Sequence, residues 1–235
     1  MKKIDYISSG CSCLDKILKG GFPIKNLSLI YGAAAVGKTT LAAQCSVGAA
    51  KKNAKVLFID TDHTFSLKRL LQIIDSQDDV SNKIMILTPE DFDEQSKIIE
   101  DLESYITNKV RLIVLDSISS LYRVSLGAIE HTYLLNRELN RQLAYLSELS
   151  INHELSILIT SQIHSTFNGE KWRIEPVAYR ILSYWCKVII NLQSTPKLSI
   201  KRAIIERYLT NVEKKEICTL AITHNGFKNM NDVNH

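Results

Sequence analysis

Gly32-x-x-x-x-Gly37-Lys38-Thr39 is the stretch of this 235-residue chain whose residue types and spacing most clearly imply a chemistry. It fits the Walker A pattern of phosphate-binding loops. Glycines at both ends let the backbone turn, so that successive N–H groups along Gly32, Ala33, Ala34, Ala35, Val36 and Gly37 point inward at phosphate oxygens. The helix that follows, opening on Thr39 and Thr40, adds the positive potential of its N-terminus. Lys38 then reaches the β- and γ-phosphates of ATP, and the Thr39 hydroxyl holds Mg2+.

Such a loop needs a strand before it and a helix after it. Leu27, Leu29, Ile30 and Tyr31 form the apolar run of that strand, and the Ala-rich stretch Thr39 to Lys52 forms the helix. Val56 to Asp60 reads as a second buried strand, with Asp60 and Asp62 at its end. Arg111 to Asp116 is the Walker B form, four apolar residues and a carboxylate, which sets Asp116 beside the loop to orient Mg2+ and its waters. Ile84 to Leu87 and Leu155 to Thr160 supply further strands, the latter ending at Ser161-Gln162. Between them, Ser66 to Ile74, Asp91 to Ile106 and Thr132 to His153 read as helices; the last repeats Leu135, Leu139, Leu143, Leu146 and Leu149 on one face. Strands alternating with helices predict an α/β fold, a mostly parallel sheet with ligands at the carboxyl ends of its strands.

Residues 1–26 read as a lead-in segment, with Ser12 as helix cap and Gly20-Gly21 as its stop. From Cys186 the pattern changes to Val188 to Leu192, Ser199 to Arg207 and Ile217 to Thr223 without long helices, which predicts a C-terminal antiparallel β extension over 186–228. Asn231 to His235 reads as a frayed tail. The expectation is one domain spanning residues 1–235.

A hydrophobic content of 45% suits a full core. No apolar run approaches the roughly 18 residues of a membrane span, and the start MKKIDYISSG lacks the apolar stretch of a secretory signal. The expected location is cytoplasmic, with no membrane partner. Five scattered cysteines argue against a disulfide framework or a zinc site and for reduced thiols. The net charge of +4 is unevenly spread: Lys171 to Lys215 holds ten Lys or Arg against three Glu, a local +7 that leaves −3 for the rest. A basic C-terminal segment suits a polyanion surface.

Five motifs in order carry a family signature. Ser9-Gly10-Cys11-Ser12-Cys13-Leu14-Asp15, GAAAVGKTT, Phe58 to Phe65, Leu115 to Arg123 and Ile159 to Ile163 together resemble the RecA/RadA recombinases over about residues 7–227. The length and the lack of an N-terminal helix-hairpin-helix domain make the chain most similar to the family's short archaeal RadB branch; long filaments are not implied. The resemblance implies a RecA-like P-loop ATPase core in which Asp62 stands where the family has a Glu that activates water. Arg69 falls on the adenine-stacking Arg, and Gln162 on the γ-phosphate sensor. Lys38, Asp62, Asp116 and Gln162 are thus the expected catalytic set, and Thr39 and Asp116 the expected Mg2+ ligands.

The same resemblance makes His164 to Val177 a DNA-binding loop. Phe167, Lys171, Trp172 and Arg173 supply aromatic faces and charge suited to single strands, and Arg207 adds a basic position on a later strand. Two departures stand out: Ala178-Tyr179 replaces a Gly-Gly pair, and Arg207-Tyr208-Leu209 replaces a Lys-His-Arg stretch. The leading expectation is an ATP-binding accessory protein of DNA repair and homologous recombination, with DNA, single-stranded or branched, as partner and weak Mg2+-dependent ATPase activity. The alternatives are a nucleotide-gated binding module for a RadA-type recombinase or a Holliday-junction resolvase, hardly hydrolysing ATP, and a KaiC-like signalling ATPase.

Overall fold

Short β-branched runs that alternate with amphipathic stretches place their apolar side chains on both faces of a sheet, and the helices must cover both. The computed structural model describes residues 6–74, 80–126, 129–167, 172–209 and 216–230. The chain opens with β1 (Tyr6–Ile7), α1 (Ser12–Ile17) and β2 (Phe22–Pro23), then β3 (Asn26–Gly32), α2 (Lys38–Lys51), β4 (Lys55–Asp60) and α3 (Leu67–Ile73). Next come β5 (Ile84–Leu87), α4 (Phe92–Tyr105), β6 (Val110–Asp116), α5 (Ser120–Val124), α6 (Ile129–Asn152) and β7 (Ser156–Phe167). The last part holds β8 (Trp172–Pro176), α7 (Tyr179–Trp185), β9 (Cys186–Ser194), β10 (Ile200–Tyr208), β11 (Glu216–Thr223) and β12 (Gly226–Asn229).

The main sheet runs β12-β11-β10-β9-β3-β7-β6-β4-β5, with β8 added on β7. From β9 to β5 every neighbouring pair is parallel, and β10, β11 and β12 continue it antiparallel. The expected α/β architecture with a C-terminal antiparallel extension is therefore present. Two details differ. β9 lies in the predicted extension but runs parallel to β3, so the antiparallel part starts one strand later. The expected loop from His164 is an antiparallel ribbon: β7 continues to Phe167 and pairs with β8 from Ile163↔Pro176 to Phe167↔Trp172.

Alternation along β4 sorts the core. Val56 and Phe58 face one layer, with Leu41 and Cys45 of α2; Leu57 and Ile59 face the other, with Ile99 of α4 and Leu139, Leu143 and Leu146 of α6. Each fully buried leucine contributes about 1.5–3 kcal/mol. Local caps fix the helix starts: the Asp91 carboxylate accepts from the Glu94 N–H at 2.7 Å, and the Ser66 hydroxyl from the Arg69 N–H at 3.2 Å. At α1 the cap position belongs to Cys11 rather than Ser12, and its thiol donates to the Phe227 carbonyl at 3.2 Å.

The expectation of five reduced thiols is corrected. Cys13 and Cys218 form a disulfide between α1 and β11 with Cα atoms 6.0 Å apart, while Cys11, Cys45 and Cys186 are free and buried. Among the described residues, no helix is long and apolar enough to cross a membrane. The tail from Asn231 lies outside the described residues.

Candidate functional site

Strand register brings the chemistry-bearing residues together. Gly32 at the end of β3 lies opposite Gln162, Leu115 lies opposite Ile159, and Asp60 lies opposite Asp116. The ends of β3, β4 and β6 therefore lie beside Gln162 of β7, and the residues around them enclose a cleft of about 440 Å³. Lys38, Thr39, Asp62, Asp116, Gln162 and Arg69 all line it.

The loop between β3 and α2 has the predicted form. Ala33, Ala34 and Ala35 are exposed, whereas Val36 is buried and anchors the loop. Gly37 has φ +107°, and a Cβ there would lie 2.6 Å from the Phe227 ring. At Gly32 a Cβ would meet the Leu192 carbonyl oxygen at 2.2 Å, so both loop glycines have no room for a side chain. Lys38 is 8% exposed, and its Nζ donates to the Gly32 and Ala33 carbonyls at 3.0 and 2.9 Å. Burial lowers its pKa, opposed by the negative charges of Asp116 and Asp62.

Asp116 is 1% exposed and burial raises its pKa. Thr160 donates to Asp116 Oδ1, while Asp116 Oδ2 is buried without a hydrogen-bond partner and Thr39 lines the same cleft. An orphaned carboxylate oxygen next to a threonine hydroxyl is an oxygen donor set that suits Mg2+. The peptide from Asp116 to Ser117 is cis.

Asp60 and Asp62 divide the work at the end of β4. Asp60 caps the next turn, accepting from Phe65 N–H at 2.9 Å and Thr64 N–H at 3.3 Å. Asp62 is half-buried and its Oδ2 lies 3.4 Å from Gln162 Nε2, which also reaches Ser120 Oγ at 3.4 Å. The Gln162 carbonyl accepts from the Val177 N–H at 3.1 Å, closing the β7–β8 ribbon at its base. Val177 leads into Ala178, whose φ of +55° is the left-handed conformation that glycine adopts freely.

Sequence reasoning missed several lining residues: Ala43, Thr64, Phe65, Ser66 and Ile222. Thr160 was legible in principle, because a parallel strand ending beside Asp116 must place a residue there. Ile222 carried no local signal, since it reaches the cleft from β11. Arg69 lines the cleft with its guanidinium bound to the carbonyls of Thr223 and His224 at 2.9 and 2.6 Å.

The expected DNA-binding residues do not all share one element. Phe167 pairs in register with Trp172, and Thr166 with Arg173, on the β7–β8 ribbon; Lys171 lies outside the described residues. Arg207 sits on β10, where its guanidinium donates to the carbonyls of Ser183 and Cys186 at the C-terminal end of α7. A cation there complements the helix dipole.

A phosphate-loop motif, strand-end carboxylates and a glutamine where β7 leaves its parallel partners, on a sheet with this extension, define a RecA-like fold. Residues 1–229 match the family model described as Rad51, and the chain belongs to that family. It is similar to the DNA repair and recombination protein RadB of Thermococcus kodakarensis, 34% identical over 206 residues that cover 86% of this chain and 90% of that protein. The RadB of Thermococcus gammatolerans is 34% identical over 230 residues, covering 96% of this chain and all of the relative (100%). Among solved structures, the crystal structure of the RadB recombinase superposes with a TM-score of 0.80 at 31% identity, covering 95% of this chain and 99% of that one.

Proposed function

We propose that this chain is an ATP-binding accessory protein of DNA repair and homologous recombination that binds DNA and hydrolyses ATP weakly. One observation carries the reading: Lys38, Asp62, Asp116 and Gln162 come from four separate segments and line one cleft beside a phosphate loop. The kinship with proteins named for DNA repair and recombination supports the process.

In this reading the N–H groups from Gly32 to Thr40 cradle the triphosphate and Lys38 leaves the loop carbonyls for the β- and γ-phosphates. Thr39 and Asp116 hold Mg2+, which when bound neutralises developing charge on the phosphate oxygens. Asp62 orients the attacking water and accepts its proton. It is one methylene shorter than the glutamate at this position in related recombinases, and a misplacement of about 1 Å costs roughly a hundredfold in rate. Slow turnover follows.

Gln162 joins the site to the DNA surface. Its amide faces Asp62 and its carbonyl holds the base of the β7–β8 ribbon, so a γ-phosphate that draws the amide changes the ribbon's footing. Phe167, Lys171, Trp172 and Arg173 then meet single-stranded or branched DNA, with Arg207 as a further basic position. The same switch serves a RadA-type recombinase or a Holliday-junction resolvase as partner. Residues 1–235 act as one unit in the cytoplasm.

Steady-state phosphate release by the native chain and Lys38→Ala tests the enzyme reading. Loss of turnover in the variant is expected; equal turnover in both contradicts it. A nucleotide-gated binding module is the second reading, favoured by the short Asp62 side chain, and it requires ATP binding without measurable phosphate release.

A further inference from the structure

The resemblance gives Arg69 a face on which adenine stacks but says nothing of what sets that face. We infer that Gln72 and the turn between β11 and β12 are positioning elements that fix the plane of Arg69 against the base of a bound nucleoside triphosphate. The inference rests on the nucleotide reading of the cleft and makes the C-terminal hairpin part of the nucleotide site.

Arg69 Nη1 donates to Gln72 Oε1 at 3.0 Å and to the His224 carbonyl at 2.6 Å, and Nη2 donates to the Thr223 carbonyl at 2.9 Å. Guanidinium N–H groups all lie in the plane of the group, so these acceptors occupy its edge and leave its flat faces for stacking. Gln72 is three residues further along α3, the spacing that puts two side chains on one helix face.

The turn is itself anchored to the phosphate-loop helix. Gln44 on α2 accepts from the Phe227 N–H at 2.6 Å and donates to the Phe227 carbonyl at 3.0 Å. Gly226, with φ +102°, packs so closely on Gln44 that a Cβ would lie 2.4 Å from its Oε1. The plane of Arg69 is thereby referenced to α2 through the hairpin. Ala43 lies four residues beyond Thr39 on α2, about 6 Å along the helix axis from it. With Ile222 from β11 it lines the cleft as an apolar surface, which suits a base and not a phosphate.

Titration of ATP and of inorganic tripolyphosphate into the full chain, native and substituted, separates base from phosphate recognition. Gln72→Leu removes the acceptor and is expected to weaken ATP about threefold to tenfold with tripolyphosphate affinity and melting temperature unchanged. Gln72→Glu keeps an acceptor and restores ATP affinity. Arg69→Lys keeps the charge but loses the plane, and is expected to lose about tenfold for ATP alone. Equal losses for both ligands, or unchanged ATP affinity in Gln72→Leu and Arg69→Lys, overturn the inference. No binding of either ligand by the native chain overturns the nucleotide reading itself and this inference with it.

Discussion

Gln162 Nε2 lies 3.4 Å from Asp62 Oδ2, so the amide on β7, the neighbour of the phosphate-loop strand, meets the carboxylate beyond β4 across the mouth of the cleft. At that distance the contact is at the long end for a hydrogen bond and leaves both groups available to a ligand. Lengthening the carboxylate moves its oxygens by about one bond toward a bound γ-phosphate, so Asp62→Glu is expected to raise ATP turnover about ten- to hundredfold. Phosphate release at saturating Mg2+-ATP measures it. A slower or unchanged Asp62→Glu contradicts the proposal that the short side chain limits hydrolysis.

Burial of the Asp116 carboxylate costs stability. Burial, reinforced by Asp62 and Asp60, raises its folded-state pKa above the ordinary 3.8 despite the hydrogen bond from Thr160. A raised carboxylate pKa means the folded state holds the proton longer than the unfolded state. Stability from this group therefore falls as pH rises past the ordinary value, and the penalty is complete above the folded value. Asp116→Asn removes the charge, so the ligand-free variant is expected to melt higher than the native chain at the alkaline end of a series from about pH 4 to 8. The gain is about 2–4 °C for each kcal/mol relieved in a domain of this size. Mg2+-ATP should stabilise the native chain and not the variant. A lower melting temperature for Asp116→Asn across the series contradicts the assignment.

Phe227 couples the C-terminal hairpin to the phosphate loop. It is 1% exposed, and its ring closes the space where Gly37 would carry a Cβ. Phe227→Ala is expected to cost about 3–5 kcal/mol through the cavity it leaves. Because the cavity opens under Gly37, ATP should also stabilise the variant less than it stabilises the native chain. Thermal melts with and without ATP read both effects, and a variant with the full ATP-induced shift would show that the loop does not rest on this ring.

The parts of the site that were legible in the sequence are those whose signal is local. Gly32 to Thr39 fixes a loop by backbone conformation, and apolar runs leading to Asp116 and Gln162 declare parallel strands of a sheet type that binds ligands at its carboxyl edge. The ribbon from Ile163 to Pro176 was not legible as strand, since polar residues such as His164, Ser165 and Thr166 interrupt the apolar pattern and its pairing is supplied by β8. α7 is only 7 residues long, too short for a helical period to emerge. Cys13 and Cys218 are 205 residues apart, and no spacing rule predicts a pairing made by folding α1 against β11. Ile222 and the carbonyls that hold Arg69 reach the cleft from the far end of the chain for the same reason.

Titration of labelled single-stranded DNA at two salt concentrations, with and without Mg2+-ATP, decides whether this chain binds DNA under nucleotide control. The native chain should bind, weaken steeply as salt rises because phosphate contacts release counterions, and change affinity with ATP. Trp172→Ala should cost about 1–3 kcal/mol of DNA binding through lost stacking, and Lys38→Ala should keep DNA binding but lose its response to ATP. No binding of DNA by the native chain even at low salt would contradict the account.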